Sequence, residues 1–367
     1  MGIILAILLF SLIIIIHELG HFTLAKLNGI RVDEFSLGMG PTLFGKEFKG
    51  TKFSLKLLPL GGACMMGEDD ADDTSEGSFN SKSVWARISV IAAGPLFNFI
   101  LALLMSAILV GAAGYAVPVI QEVESGSSGS EQGLKKGDVI TEINGKKIHI
   151  YEEFQLYNLT HSTSDTAELT FERDGKEHTI QMEKRQFGDE TTKRMGFTYS
   201  AEVEKPGFFK SIQYGAYTAK YWVEYTLECL KMLLTGEVGV NQLSGPVGIV
   251  EVVNDTYDAA APSGWSAVIL SMMNLGILIS ANLGVMNLLP IPALDGGRLV
   301  FLLIEAVRRK RIAPEKEGMV HFIGFAALMA LMVILCGCFD QKEYSIKKRF
   351  CESRSVFFRS SSVRYFL

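Results

Sequence analysis

At 367 residues the chain is long enough for two ordinary domains, but its composition is not that of a soluble protein. Hydrophobic residues make up 48% and gather in long uncharged blocks, while a formal net charge of −5 gives no sign of a nucleic-acid partner. Five cysteines (64, 229, 336, 338, 351) form neither a disulfide framework nor a pair of CxxC units, and Cys336-Gly-Cys338, inside an apolar run, reads as packing rather than metal binding.

In chain order, residues 2–16 carry no charge, and neither do Ile88–Ile120, Ala259–Leu294 and Gly318–Phe339. A helix crosses the hydrocarbon core with roughly 20 apolar residues, so the pattern predicts a polytopic α-helical membrane protein with about four transmembrane helices. The first block has no basic start and no small-residue cleavage site, so it reads as a retained span rather than a signal peptide. Between the first two spans, "FSLGMGPTLFGKEFKGTKFSLKLLPLGG" mixes short apolar stretches with Gly, Pro and Lys, which predicts β-hairpins at a membrane surface. The acidic run "EDDADD" that follows reads as a solvated loop rather than a cation site.

Residues 116–203 are polar and strand-rich. "VPVIQEV", "DVITEINGKKI", "AELTFERDGKEHTIQME" and "MGFTYS" are punctuated by Asn144-Gly145 and Asp174-Gly175, the signature of a small inserted β-rich domain. Residues 207–234 place aromatic and aliphatic side chains at helical spacing, as in a helix lying on a membrane or a core helix of a soluble lobe. Arg308, Arg309, Lys310 and Arg311 crowd the connection between the third and fourth spans and assign that side to the cytosol. By parity, the β-rich domain and both termini face outward; the basic tail after Phe339 is at odds with that assignment.

The chemistry sits in His17-Glu18-Leu19-Gly20-His21, directly behind the isoleucines of the first span. On a helix the two histidines at i and i+4 share one face and can both ligate zinc at about 2.0–2.1 Å. Glu18, beside a ligand, is poorly placed to bind the same ion and well placed to take a proton from water. Ionisable residues inside a span are costly and mark function. Catalytic zinc takes three protein ligands, and the candidate for the third is Asp295 in "NLLPIPALDGGRL", where Pro290, Pro292, Gly296 and Gly297 break the helix. Broken backbone at membrane depth is tolerated only where it is buried or lines a cavity. Asn287, on the same stretch, is a candidate for the substrate backbone or a developing oxyanion, or a cap of the break.

With these residues in place the sequence resembles the site-2 protease family of intramembrane zinc metalloproteases, of the regulator-of-sigma-factor protease type. HELGH (17–21), "GPLFN" (94–98), "LSGPVGI" (243–249) and "NLLPIPALDGG" (287–297) stand in the family's order, with the β-rich insertion where the family carries PDZ domains. The resemblance covers residues 1–337. It implies that His17, His21 and Asp295 hold Zn2+, that Glu18 is the catalytic acid/base, and that Asn287 and Asn98 contact substrate or oxyanion. It implies a membrane-associated β-hairpin at 31–62 that presents an extended substrate, and a single PDZ-like module. The substrates implied are transmembrane segments of single-pass proteins, such as anti-sigma factors already trimmed by an upstream protease, and remnant signal peptides. The location implied is the bacterial inner membrane, in contact with lipid, with the active site near the cytosolic leaflet.

The expected organisation is therefore 1–115 (two spans with the hairpin region), 116–203 (PDZ-like), 204–263 (amphipathic surface helix and connector), 264–339 (spans three and four) and an unassigned basic tail, 340–367. Three rival readings fit less well. A tethered peptidase acting on soluble peptides predicts HELGH outside the apolar run. A PDZ scaffold with a dead metal site predicts a damaged His/Glu/His/Asp set. A metal transporter predicts repeated polar spans.

Overall fold

The computed structural model describes residues 2–67, 75–161, 165–186, 194–238, 245–312 and 314–337. The acidic run 68–73, Leu243-Ser244, Cys338 and the basic tail 340–367 lie outside the described residues. The described residues fold as two compact units, one built from the segments up to Met105 and from Cys229 to Gly337, the other from Ser106–Glu228.

In the first unit the uncharged blocks become helices, because only a helix satisfies its own backbone in lipid. Among the described residues three helices are long and apolar enough to cross a membrane: α1 (Gly2–Leu27), α2 (Val84–Ala113) and α7 (Trp265–Leu288). Their outer faces are what a bilayer solvates. On α2, Leu96, Ile100, Leu104 and Ile108 form an exposed stripe at four-residue spacing, and on α1 Ile3, Ile4, Leu8 and Leu12 are exposed. Their inner faces meet through small residues. A Cβ on Gly20 of α1 would lie 2.4 Å from the carbonyl oxygen of Ala93 on α2, and one on Gly284 of α7 would lie 2.7 Å from the Phe99 ring. The block expected as a fourth span falls in α9 (Pro314–Gly337), a helix of 24 residues.

The hairpin region is present as β1 (Glu34–Phe48) and β2 (Thr51–Met65), joined by a two-residue turn in which Lys49 (φ +49°) and Gly50 (φ +72°) are both left-handed. Its register is more involved than a simple hairpin. Residues Glu34–Leu37 of β1 pair with Lys52–Leu55 on one side and with Gly62–Met65 on the other, so β2 bends back to make a third strand. Met39, Leu43, Phe44, Phe48, Leu55 and Leu58 are exposed on this region.

In the second unit six antiparallel strands form one sheet of order β7-β6-β4-β3-β8, with β5 paired to β4. They are β3 (Tyr115–Val123), β4 (Val139–Ile143), β5 (Lys146–Lys147), β6 (Thr166–Arg173), β7 (Lys176–Glu183) and β8 (Phe197–Glu204). The two turns anticipated at Asn144-Gly145 and Asp174-Gly175 have positive φ at both residues, as the tight hairpin connection requires. Two short helices, α3 (Ser128–Glu131) and α4 (Tyr151–Thr160), complete a core of Ile120, Ile140, Phe154, Leu169 and Phe171. Neither helix was anticipated; α4 holds its start through Glu153, whose Oε2 accepts the backbone N–H of His149 at 2.7 Å.

Helix α5 (Phe208–Thr235) packs along this unit. Tyr214 stacks on Tyr115 at 3.5 Å and Tyr217 on His149 at 3.8 Å. Glu224 is reached by Lys146 at 3.3 Å and by Lys220 at 3.0 Å. Burial works against its charge, but the two ammonium groups outweigh it and hold its carboxyl below the ordinary range. A carboxylate so depressed stabilises the fold above its unfolded pKa of about 4.3, and that contribution fades as pH falls through the folded value. Melting of the full chain in detergent should therefore lose about 1 kcal/mol or less of pH-dependent stability on acidification, and Glu224→Gln should remove that slope. An identical acid slope in the variant would reject the contact's role.

Two further helices lie in the first unit, α6 (Pro246–Ala260) and α8 (Asp295–Arg308). The stretch after the break was expected to be only a basic connection. Its pattern "DGGRLVFLLIEAVR" instead makes a helix with apolar and polar faces, which buries Leu302 against the cluster containing Val90 and Ile91.

Candidate metal centre

The site is built where α1, α2, the end of α7 and the start of α8 meet. His17 and His21 are one turn apart on α1, each 7% exposed. At 1.5 Å per residue His17 lies about 22 Å along the helix from its start. Asp295 comes from the other end of the chain. Helix α7 stops at Leu288 and α8 begins with Asp295 itself, so the six-residue break carries the carboxylate to the histidines.

The break is tightly held. Gly296 and Gly297 sit where added Cβ atoms would lie 2.1 Å from the Leu289 carbonyl oxygen and 2.5 Å from that of Ile291. Ala293 has φ +77°, a left-handed conformation rare outside glycine, and its N–H donates to His321 Nδ1 of α9 at 2.9 Å. Gly324 of α9 packs on Pro292, leaving no room for a side chain.

The ligand atoms of His17, His21 and Asp295 all lie within 4.8 Å of one another. His17 Nε2 is 3.1 Å and His21 Nε2 is 3.5 Å from Asp295 Oδ2, and the two Nε2 atoms are 3.2 Å apart. Ligand atoms about 2.0–2.1 Å from a tetrahedral zinc ion stand roughly 3.3–3.4 Å from each other, so this triangle has the size of one face of a zinc site. Asp295 Oδ2 is buried, yet no hydrogen bond of good geometry reaches it from either imidazole. An orphaned carboxylate oxygen facing two ring nitrogens suits a shared cation better than a hydrogen bond.

The other ring nitrogens are also engaged. His21 Nδ1 lies 2.9 Å from the Val90 carbonyl oxygen, an acceptor that puts the proton on Nδ1 and leaves the Nε2 lone pair for a metal. Asn98, fully buried, faces His17 Nδ1 at 3.1 Å through its amide nitrogen, while its Oδ1 has no partner. A half-turn of that amide brings Oδ1 to accept from Nδ1–H and fixes His17 in the same tautomer. Asn98 thus stands behind His17, whereas Asn287 Nδ2, on the last turn of α7, is 3.5 Å from His17 Nε2 on the ligand side. Glu18 lies in the electrostatic field of His17, His21 and Asp295, and its carboxylate accepts the backbone N–H of Cys64. Gly62 on the returning segment of β2 closes over it, with an added Cβ 3.0 Å from Glu18 Cγ.

One residue of this site entered the sequence reading only within GPLFN, with no role of its own. A Cβ on Gly94 of α2 would lie 2.3 Å from His21 Nε2 and 2.7 Å from His17 Cε1, so only glycine lets α2 pass the two rings. The available signal was Gly94-Pro95 in mid-span, a helix-weakening pair that needs a reason.

A model of peptidase family M50 matches residues 5–331. The chain belongs to that family, the site-2 proteases. A relative in Clostridium acetobutylicum named as a zinc metalloprotease is 36% identical over 334 residues, covering 91% of this chain and 96% of the relative. Zinc metalloprotease RasP of Geobacillus kaustophilus is 32% identical over 412 residues, covering 90% and 95%. Regulator of sigma-W protease RasP of Bacillus subtilis is 31% identical over 413 residues, covering 90% and 96%. The protein is a zinc metalloprotease and, with its apolar helices, a multi-pass membrane protein.

Proposed function

We propose that this site-2 protease cuts transmembrane segments of single-pass proteins within the bilayer, with anti-sigma factors and remnant signal peptides, already trimmed outside the membrane, as its substrates. The observation that carries the reading is the meeting of His17, His21 and Asp295 beside the apolar run of a membrane-length helix. The similarity to a regulator of sigma-W protease supports the anti-sigma-factor class.

In this reading His17, His21 and Asp295 hold zinc, which supplies Lewis acidity enough to bring the pKa of water to about 7 and to polarise a carbonyl. Glu18 accepts the proton of the attacking water and returns it to the leaving amine, so one carboxylate serves as base and then acid. Asn287 donates its amide N–H to the carbonyl oxygen as negative charge develops there. Asn98 orients His17 from behind. A helical substrate hides its carbonyls, so it must unwind locally. The returning segment of β2, packed beside Glu18, offers an edge to which an extended substrate can add. The six-stranded sheet is PDZ-like and faces outward, α9 is the fourth span, and the active site lies toward the cytosolic leaflet, as the Arg308–Arg311 cluster argues.

A tagged single-span reporter co-expressed with the chain should be cut inside its apolar segment, mapped by mass spectrometry of both fragments. A Gly-Pro pair in that segment should speed cleavage relative to an all-leucine span. Cutting confined to the aqueous flanks, or indifference to helix stability, would overturn the proposal.

A further inference from the structure

At the other end of α8 from Asp295 the first unit has a second polar feature, apart from the metal centre. A pocket of about 440 Å³ opens between the start of α2 and the end of α8, within the range of small-ligand sites, about 300–1,000 Å³. Among the described residues its lining brings together Lys82, Arg87, Arg309 and Arg311 with one carboxylate, Glu305, while Glu317 lies close enough to interact with Arg87 and Arg311. That carboxylate is already committed, because both terminal nitrogens of Arg87 donate to it, one at 3.2 Å. Arg87 is 5% exposed, and its Nε–H is buried without an acceptor. Lys82 and Arg309 have no carboxylate partner among the described residues. Arg311 donates to Asn80 Oδ1.

Exposed apolar side chains stand on the same two helices. Trp85, in the lining, is 67% exposed, Val307 is 84% exposed, and Leu303 and Ile304 on α8 are exposed as well. Trp85 stands at the first turn of a membrane-length helix, the level at which tryptophan anchors at the interface. Excess positive charge and adjoining exposed apolar residues match the two halves of an amphiphile: a phosphate that takes the cations and chains that lie along α8.

We propose that this pocket binds the phosphate headgroup of an anionic phospholipid, which bridges α2 and α8. Because α8 begins with Asp295, the lipid braces the helix that carries this carboxylate to the metal centre.

The test uses the full chain purified in detergent and exchanged into nanodiscs. Native mass spectrometry should show phosphatidylglycerol retained and phosphatidylcholine lost, and phosphatidylglycerol should raise the melting temperature. Lys82→Gln with Arg309→Gln should weaken phosphatidylglycerol retention about twenty-five-fold, from about fivefold per cation, with melting in phosphatidylcholine unchanged as the check on folding. Inorganic phosphate at millimolar concentration should not reproduce the rise in melting temperature. Equal retention of both lipids, undiminished retention in the double variant, or full replacement by inorganic phosphate would each overturn the proposal.

Discussion

Glu18→Gln should lower cleavage of a transmembrane reporter by about 10²–10⁴-fold while leaving bound zinc unchanged, because it removes a proton carrier and no ligand. The substitution is nearly isosteric, and the environment tolerates it. Glutamine keeps an oxygen to accept the Cys64 N–H and fits under Gly62 as glutamate does. Loss of activity therefore reports chemistry rather than misfolding, provided metal content is measured in the same preparation. Two outcomes count against the assignment: a fully active variant, which would place the acid/base elsewhere, and an inactive one that has also lost its zinc, which would make Glu18 a support of the site.

The second large effect is expected at a residue with no functional group. Gly94→Ala introduces a methyl carbon 2.3 Å from His21 Nε2, well inside any real contact, so either α2 or the imidazole must move. Displacement of a catalytic group by about 1 Å can cost 10²-fold in rate, and overpacking costs typically 1–3 kcal/mol. We expect zinc content to fall along with activity, since the ring that must yield belongs to the ligand triangle. Gly318→Ala, where a Cβ meets nothing within 4 Å, is the matched control and should be silent. Normal zinc content in the Gly94 variant would mean that α2 does not press on the site.

Much of this architecture could be read in the sequence because its causes are local. Charge-free blocks announce α1, α2 and α7, and two-residue Asn-Gly and Asp-Gly turns announce strands of the six-stranded sheet. The i, i+4 spacing of His17 and His21 puts them on one face whatever surrounds them. Pro290, Pro292 and two glycines announce a break before Asp295. What stayed hidden depends on partners distant in the chain. That Glu34–Leu37 of β1 pairs on both sides follows from β2 bending back, which no local pattern encodes. The resemblance offered Asn98 as a substrate or oxyanion contact, but its place behind His17 depends on the rotation of α2 against α1. Gly94 matters only because of that same rotation. The prop from α9, His321 to the Ala293 N–H, joins residues 28 apart through a loop whose path sequence pattern does not fix.

The most direct measurement of the central claim is zinc bound per chain in purified wild type and in Asp295→Asn, His17→Ala and His21→Ala, with folding checked by melting temperature. The account predicts about one zinc in the wild type and a marked loss in each variant, Asp295→Asn included although it lies more than 270 residues from the histidines. A folded Asp295→Asn protein that keeps its zinc at wild-type affinity would contradict it.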